Sequence, residues 1–178
     1  MRWSKLKQMA ESLLCESLKG RVHYQAIVHR KSHDQTSSFR VTFDGKEISW
    51  ASDIPYAMEL NRRGDDLRDE RQLNPFPWHL HWRDWEQSEH YKAYHRADAE
   101  TKLIADEIFP AWAVKELLFD YVHMPFEEAV VHEHPFVRAI SLFDKRIGKR
   151  RLAEIDAEKE SGLVKAFYEI RIEADSTE

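Results

Sequence analysis

The dipeptide Asp44-Gly45 lies between two runs that alternate apolar and polar residues, Phe39-Arg40-Val41-Thr42-Phe43 before it and Ile48-Ser49-Trp50 after it. A two-residue type I′ turn demands positive φ at both central positions, which Asp and Gly tolerate, so this dipeptide predicts two adjacent antiparallel strands. Upstream, Val22, Tyr24, Ala26 and Val28 alternate with His23 and Gln25, with Ile27 the exception, and predict a third strand. The expected sheet is a three-stranded meander, and its apolar face needs a cover. Trp3, Leu6, Ala10, Leu13, Leu14 and Leu18 recur at steps of three and four. They predict an amphipathic helix from about Trp3 to Lys19, stopped at Gly20 and laid on the sheet.

Beyond the sheet the pattern turns helical. Ser52 or Asp53 followed by Pro55 reads as a cap and first turn. The helix it opens is expected to run exposed towards Gln72 and to break or fray near Gly64, inside the mixed-charge run RRGDDLRDER. Asn74-Pro75-Phe76-Pro77 is a stop and the best internal boundary. It separates residues 1–74, a helix plus antiparallel sheet with an exposed helix, from residues 75–178, an all-helical region packed with the first as one unit. Within the second region a long helical pattern spans Trp82 to about Glu107. Pro110 restarts it as AWAVKELLFDYVH, and FEEAVVHEH makes a short turn of helix. Three helices are expected in the last third: HPFVRAISLFDKRI closed by Gly148, then KRRLAEIDAEKE, then GLVKAFYEIRI. The fold class is α+β: an N-terminal helix on a three-stranded antiparallel meander, then a helical C-terminal half.

Six tryptophans and 42% hydrophobic residues among 178 supply enough apolar surface for a packed core, while 33% charged residues supply a solvated coat. Cys15 is the only cysteine, so no intramolecular disulfide can form. The N-terminus carries charges throughout its apolar positions, unlike a signal peptide, and no stretch has the 18 or so uncharged apolar residues of a membrane span. A cytoplasmic protein without membrane contact is expected. The net charge of -5 opposes general nucleic-acid binding. Residues 51–135 hold twice as many acids as bases, whereas five bases crowd between Lys145 and Arg151.

Fragments near both ends look familiar together: RWSKLK, SLKGRVHY and RKSHDQTSSFRVTFDGKEI, then HPFVRAISLFDKRIGKRRL and LVKAFYEIR. They resemble an uncharacterised family of small cytoplasmic proteins, mostly from Gram-positive bacteria, with no assigned function. The resemblance does not extend to the region from about Tyr56 to Asp106. It implies no activity, ligand or catalytic residue.

Candidate chemistry is sparse. Arg146, Lys149, Arg150 and Arg151 form a basic patch at a helix–turn–helix joint. Bases in the last turn of a helix favour its dipole, but bases at the start of the next oppose it. Those at the start therefore pair with Asp144 or Glu154, or meet an anionic partner, phosphate or nucleic acid; pairing is the preferred outcome. His79, His81, Glu86, His90 and His132 are weak metal candidates. Their spacing misses the Glu-x-x-His pattern of a bundle carboxylate site, so solvated histidine is the preferred reading. The neighbours Arg30 to Asp34 mix acid, base and hydroxyl, yet a catalytic triad is assembled from separate elements, so a hydrated loop explains them better. Cys15 beside Leu14 and Leu18 reads as a buried inert thiol. Glycine-rich phosphate loops are absent. Trp78, Trp82 and Trp85 share one helical stripe, which packs inside or, if exposed, anchors a homodimer. With no complete catalytic constellation and no cofactor implied, the expected function is a non-catalytic intracellular protein-binding or adaptor protein. The alternatives are a nucleic-acid or phosphate-binding protein using residues 145–151, and a metal-dependent enzyme using the histidine-rich middle.

Overall fold

The computed structural model describes residues 1–28, 36–70, 72 and 97–177. In these, α1 (Trp3–Ser12) and a 3-10 turn (Glu16–Leu18) precede three strands, β1 (Val22–Val28), β2 (Ser37–Phe43) and β3 (Lys46–Ser52). Helices α2 (Asp53–Glu70), α3 (Ala97–Ala105), α4 (Ala111–His123), α5 (Phe126–Ala129), α6 (Pro135–Ser141), α7 (Lys149–Ala153) and α8 (Gly162–Ser176) follow. The strands form an antiparallel meander in the order β1-β2-β3. The α+β architecture is the one the alternation and the helical stripes predict.

The Asp44-Gly45 hairpin forms with φ of 49° and 78° at its two central residues, the handedness a type I′ turn needs. Beyond it the register shifts. Phe43 pairs with Lys46 and Thr42 with Glu47, but Val41 pairs with Ser49 and Phe39 with Ala51. One extra residue in β3 makes a bulge, and past a bulge the faces exchange. Ala51 is thereby buried, while Trp50 stands opposite Arg40 with 45% of its surface exposed. Strict alternation placed Trp50 with the core; the bulge corrects that.

The helix expected from Trp3 to Lys19 is shorter. α1 ends at Ser12, because residues 13–15 pair with a second segment of backbone: Cys15 N–H donates to Phe143 O (2.9 Å) and Lys145 N–H to Leu13 O (2.8 Å). Leu14 and Leu18 are still buried, so the apolar stripe survives the change of backbone. The same pairing shortens α6, expected to continue to Gly148. Arg171 of α8 donates to the carbonyls of Leu142 (3.0 Å) and Asp144 (3.3 Å), ending that helix from the side. Gly148 instead precedes α7 as its N-cap. α2, by contrast, does not break at Gly64. Arg62 bridges Glu59 and Asp66 across the glycine, and Arg63 reaches Asp106 beyond α3. A helix-interior glycine costs about 1 kcal/mol relative to alanine, an amount that several such pairs offset.

One buried cluster runs from Leu6 to Ala174 and includes α1, all three strands, α4, α6 and α8. Phe39 of β2 meets Trp3 of α1 and Phe136 of α6 edge-on, each with ring centroids 5.8 Å apart. The sheet is thus covered by several helices where the sequence pointed to α1 alone. Phe143 stacks on Phe167 at 4.5 Å and holds α8 to the segment after α6.

At the centre lies Asp144, whose carboxylate is fully buried. It accepts Tyr121 Oη–H at 2.5 Å, Arg146 Nη2–H at 2.6 Å and the Arg146 backbone N–H at 2.8 Å. Burial pushes the Tyr121 and Tyr24 phenols well above their ordinary range, and the nearby Asp144 charge adds to this. A buried carboxylate is tolerated because each oxygen has donors. Replacing Asp144 with alanine strands a guanidinium and a phenol, and is expected to cost about 3–5 kcal/mol in urea unfolding. Arg150→Ala, on the exposed face of α7, should change stability by less than about 0.5 kcal/mol.

Candidate functional site

The segment AWAVKELLFDYVH offers apolar side chains on more than one face. As α4 it buries Ala111, Val114, Leu118 and Tyr121, a stripe that satisfies the core. Trp112 and Phe119 are left outside, 55% and 40% exposed, with Lys115, Glu116, Asp120 and His123 on the same outward side. His123 Nδ1 donates to Phe119 O at 2.7 Å and its ring lies 4.5 Å from the Phe119 ring, which holds the phenyl in place.

The start of α4 is positioned from a distance. Pro110 is its N-cap residue and supplies no side-chain cap; the carboxylate of Asp53, 58 positions before Ala111, takes that role. Asp53 Oδ1 accepts Ala111 N–H (2.8 Å) and Trp112 N–H (3.4 Å), while Oδ2 accepts both N–H and Oγ–H of Ser37 at 2.7 Å. One carboxylate therefore joins the start of β2, the start of α2 and the positive end of α4. Glu107 does the same for α8: its Oε1 accepts Leu163 N–H at 2.6 Å.

The outward face of α4 is a ridge between two hollows. On one side lies a cavity of about 640 Å³, walled by Met1, Trp3 and Leu6, by Ala26, Val28, Ser37 and Ser38 of the sheet, and by Lys115 and Phe119. On the other lies a cavity of about 290 Å³, walled by Tyr56, Glu100, Ile104, Phe109, Leu117 and His134. Trp112, Glu116 and Asp120, one turn apart in succession, line both. The arrangement can grip an apolar group and place it beside a base and two acids.

His134 closes the smaller hollow. Its ring packs on Phe109 at 4.7 Å, and its Nδ1 accepts Phe136 N–H (3.2 Å) as the N-cap of α6. His132 repeats the motif by accepting His134 N–H on Nδ1 at 3.0 Å. Burial first, then the neighbouring His132 and the Arg138 guanidinium, push the His134 imidazole down to about 4. His132, the one metal candidate within the described residues, is thus occupied as a turn acceptor. His79, His81, Glu86 and His90 lie outside the described residues, as do Trp78, Trp82 and Trp85, the Asn74-Pro75-Phe76-Pro77 boundary and the loop from Arg30 to Asp34. Among the described residues no group of three or more His, Cys, Asp or Glu side chains is placed to hold a metal ion.

The basic patch is divided. Arg146 turns onto Asp144 and lies over the Phe126 ring at 5.2 Å. Arg151 faces that same ring at 5.5 Å, Arg150 pairs with Glu154 at 3.2 Å, and Lys149 is exposed at the start of α7. Arg150 with Glu154 is one of the intramolecular pairings that the charge pattern favoured, whereas Asp144 is taken by Arg146 and not by a base of α7. Cys15 is buried, with Sγ 3.1 Å from Ser17 Oγ. The α4 ridge escaped the sequence reading, although Trp112 and Phe119, seven apart and off the Ala111–Val114–Leu118–Tyr121 stripe, carried the signal.

A family model matches residues 2–172, and the chain belongs to the SF0329 protein family. The family is uncharacterised, as the fragments near the two ends implied, and the match also covers the stretch from Tyr56 to Asp106 that those fragments left out. No curated protein and no solved structure matches the chain.

His134 is neutral in the folded chain and titrates near its ordinary 6.5 when unfolded. Its contribution to stability is therefore complete above pH 6.5 and is lost as pH falls towards 4. The urea midpoint should drop across that interval. In His134→Asn, which keeps a cap acceptor but does not titrate, the drop should be smaller. Superimposable pH profiles for the two proteins would contradict the assignment.

Proposed function

We propose that this member of the SF0329 family is a non-catalytic, cytoplasmic protein-binding protein that uses the α4 ridge and its two flanking hollows as the contact surface. The observation that carries it is the exposure of Trp112 and Phe119 on a helix whose core-facing stripe is already complete. Exposed indole and phenyl groups give up their contact with water only when a partner covers them. Aromatic anchors beside a pocket, rimmed by charge, are the usual centres of protein interfaces. Here Trp112 and Phe119 are the anchors, the cavities receive the partner's side chains, and Lys115, Glu116 and Asp120 select it by charge.

The cytoplasmic part of the proposal rests on a thiol that is buried and uncrosslinked, and on helices none of which, among the described residues, is long and apolar enough to cross a membrane. An anionic partner at Lys149, Arg150 and Arg151 is the lesser proposal. Arg146 already spends its charge on Asp144, and Arg150 faces Glu154.

Affinity capture with the intact chain tests the proposal. Proteins retained by the native chain should be lost with the double variant Trp112→Ala/Phe119→Ala and kept with Arg150→Ala. Since both aromatic side chains are exposed, the double variant should remain folded, with an unfolding midpoint close to the native one. Identical captured sets from all three proteins would refute it.

A further inference from the structure

We infer that the partner for this ridge is a second copy of the chain, docking α4 against α4 in antiparallel fashion across a two-fold axis that passes between Lys115 and Glu116. The inference rests on the contact surface proposed above and names what covers it.

In a two-fold contact each residue that touches a partner position is itself touched there by its own counterpart, so the stripe must be self-complementary when reversed. The α4 stripe is. Trp112, Lys115, Glu116 and Phe119 follow the three-, four- and seven-residue spacing of one helix face. Reversed about its midpoint, the stripe sets Trp112 against Phe119 of the partner subunit and Lys115 against Glu116 of the partner subunit. Each copy thus contributes one aromatic pair and one ion pair, and symmetry doubles both. A parallel arrangement sets lysine on lysine and glutamate on glutamate, which the like charges reject.

Charge within the single chain leaves these groups available. Among the described residues neither Lys115 nor Glu116 is engaged by an opposite charge, and both are exposed. Glu116 and Asp120 lie one turn apart with the same sign, an unfavourable arrangement along a helix that a lysine from another molecule relieves. Shape agrees with charge. Trp112 and Phe119 are two turns apart, about 10 Å along the axis, and the larger cavity opens directly beside them. A ridge flanked by hollows accepts the ridge of an identical neighbour, the geometry by which helices commonly pack.

The test is sedimentation and light scattering of the full chain between about 1 and 500 μM. The mass should rise from monomer towards dimer with concentration. Trp112→Ala should raise the dissociation constant by about thirty-fold. Lys115→Glu and Glu116→Lys should each raise it about ten-fold, because each sets like charges face to face. The double variant Lys115→Glu/Glu116→Lys should return it to near the native value. All four changes are at exposed positions, and circular dichroism should show native helix content in each. A native mass that stays monomeric throughout overturns the inference, as does a dimer indifferent to these variants or one that the double exchange does not restore. If the native chain is monomeric yet still captures a different protein through Trp112 and Phe119, self-association fails while the contact surface stands. If both assays are negative, both fail.

Discussion

The fold turns on one buried carboxylate. Asp144 is shielded from water and accepts donors from Tyr121 on α4 and from Arg146 two residues along. Its backbone sits in the bridge that ties the end of α1 to the segment after α6, and its carbonyl accepts Arg171 of α8. Arg171 in turn donates to Asp175, which accepts Ser17 Oγ–H at 2.6 Å. A charge removed from water must be compensated by near-ideal hydrogen bonds, which leave little freedom to the elements that supply them. The ends of α1 and α6, which the apolar stripes alone would carry further, are set by this network.

The outward ridge follows from the same constraint. Tyr121 is held by Asp144 at one end of α4, and Ala111 N–H is held by Asp53 at the other. With both ends fixed, the rotation of the helix about its axis is fixed, and Trp112 and Phe119 have no route inward. Remote carboxylates as caps recur at Glu107 and α8, so helix starts here are set by tertiary placement as much as by the residues just before them.

Local signals in the sequence were reliable where the physics is local. Asp44-Gly45 requires a tight hairpin whatever surrounds it, Pro110 opens a helix because its ring fixes φ and removes a donor, and the stripe of α4 finds the core. They misjudged what depends on a second segment. The early end of α1 at Ser12 and the uninterrupted α2 through Gly64 reflect pairing with residues far along the chain or across the helix, and the bulge that turns Trp50 outward reflects the register of β3 against β2. The candidate surface was partly legible: spacing placed two aromatics off the core stripe, but exposure depends on what else packs there.

By itself, then, the sequence determined the three-stranded meander, the helical second half and the chemistry available at each position. Those follow from backbone sterics and apolar periodicity, which act over a few residues. Tertiary structure decided where α1 ends, how α4 begins, and that Trp112 and Phe119 meet solvent. Those outcomes depend on hydrogen bonds and burial between segments more than fifty residues apart, such as Asp53 with Ala111 and Leu14 with Asp144, and no short window of sequence contains both partners.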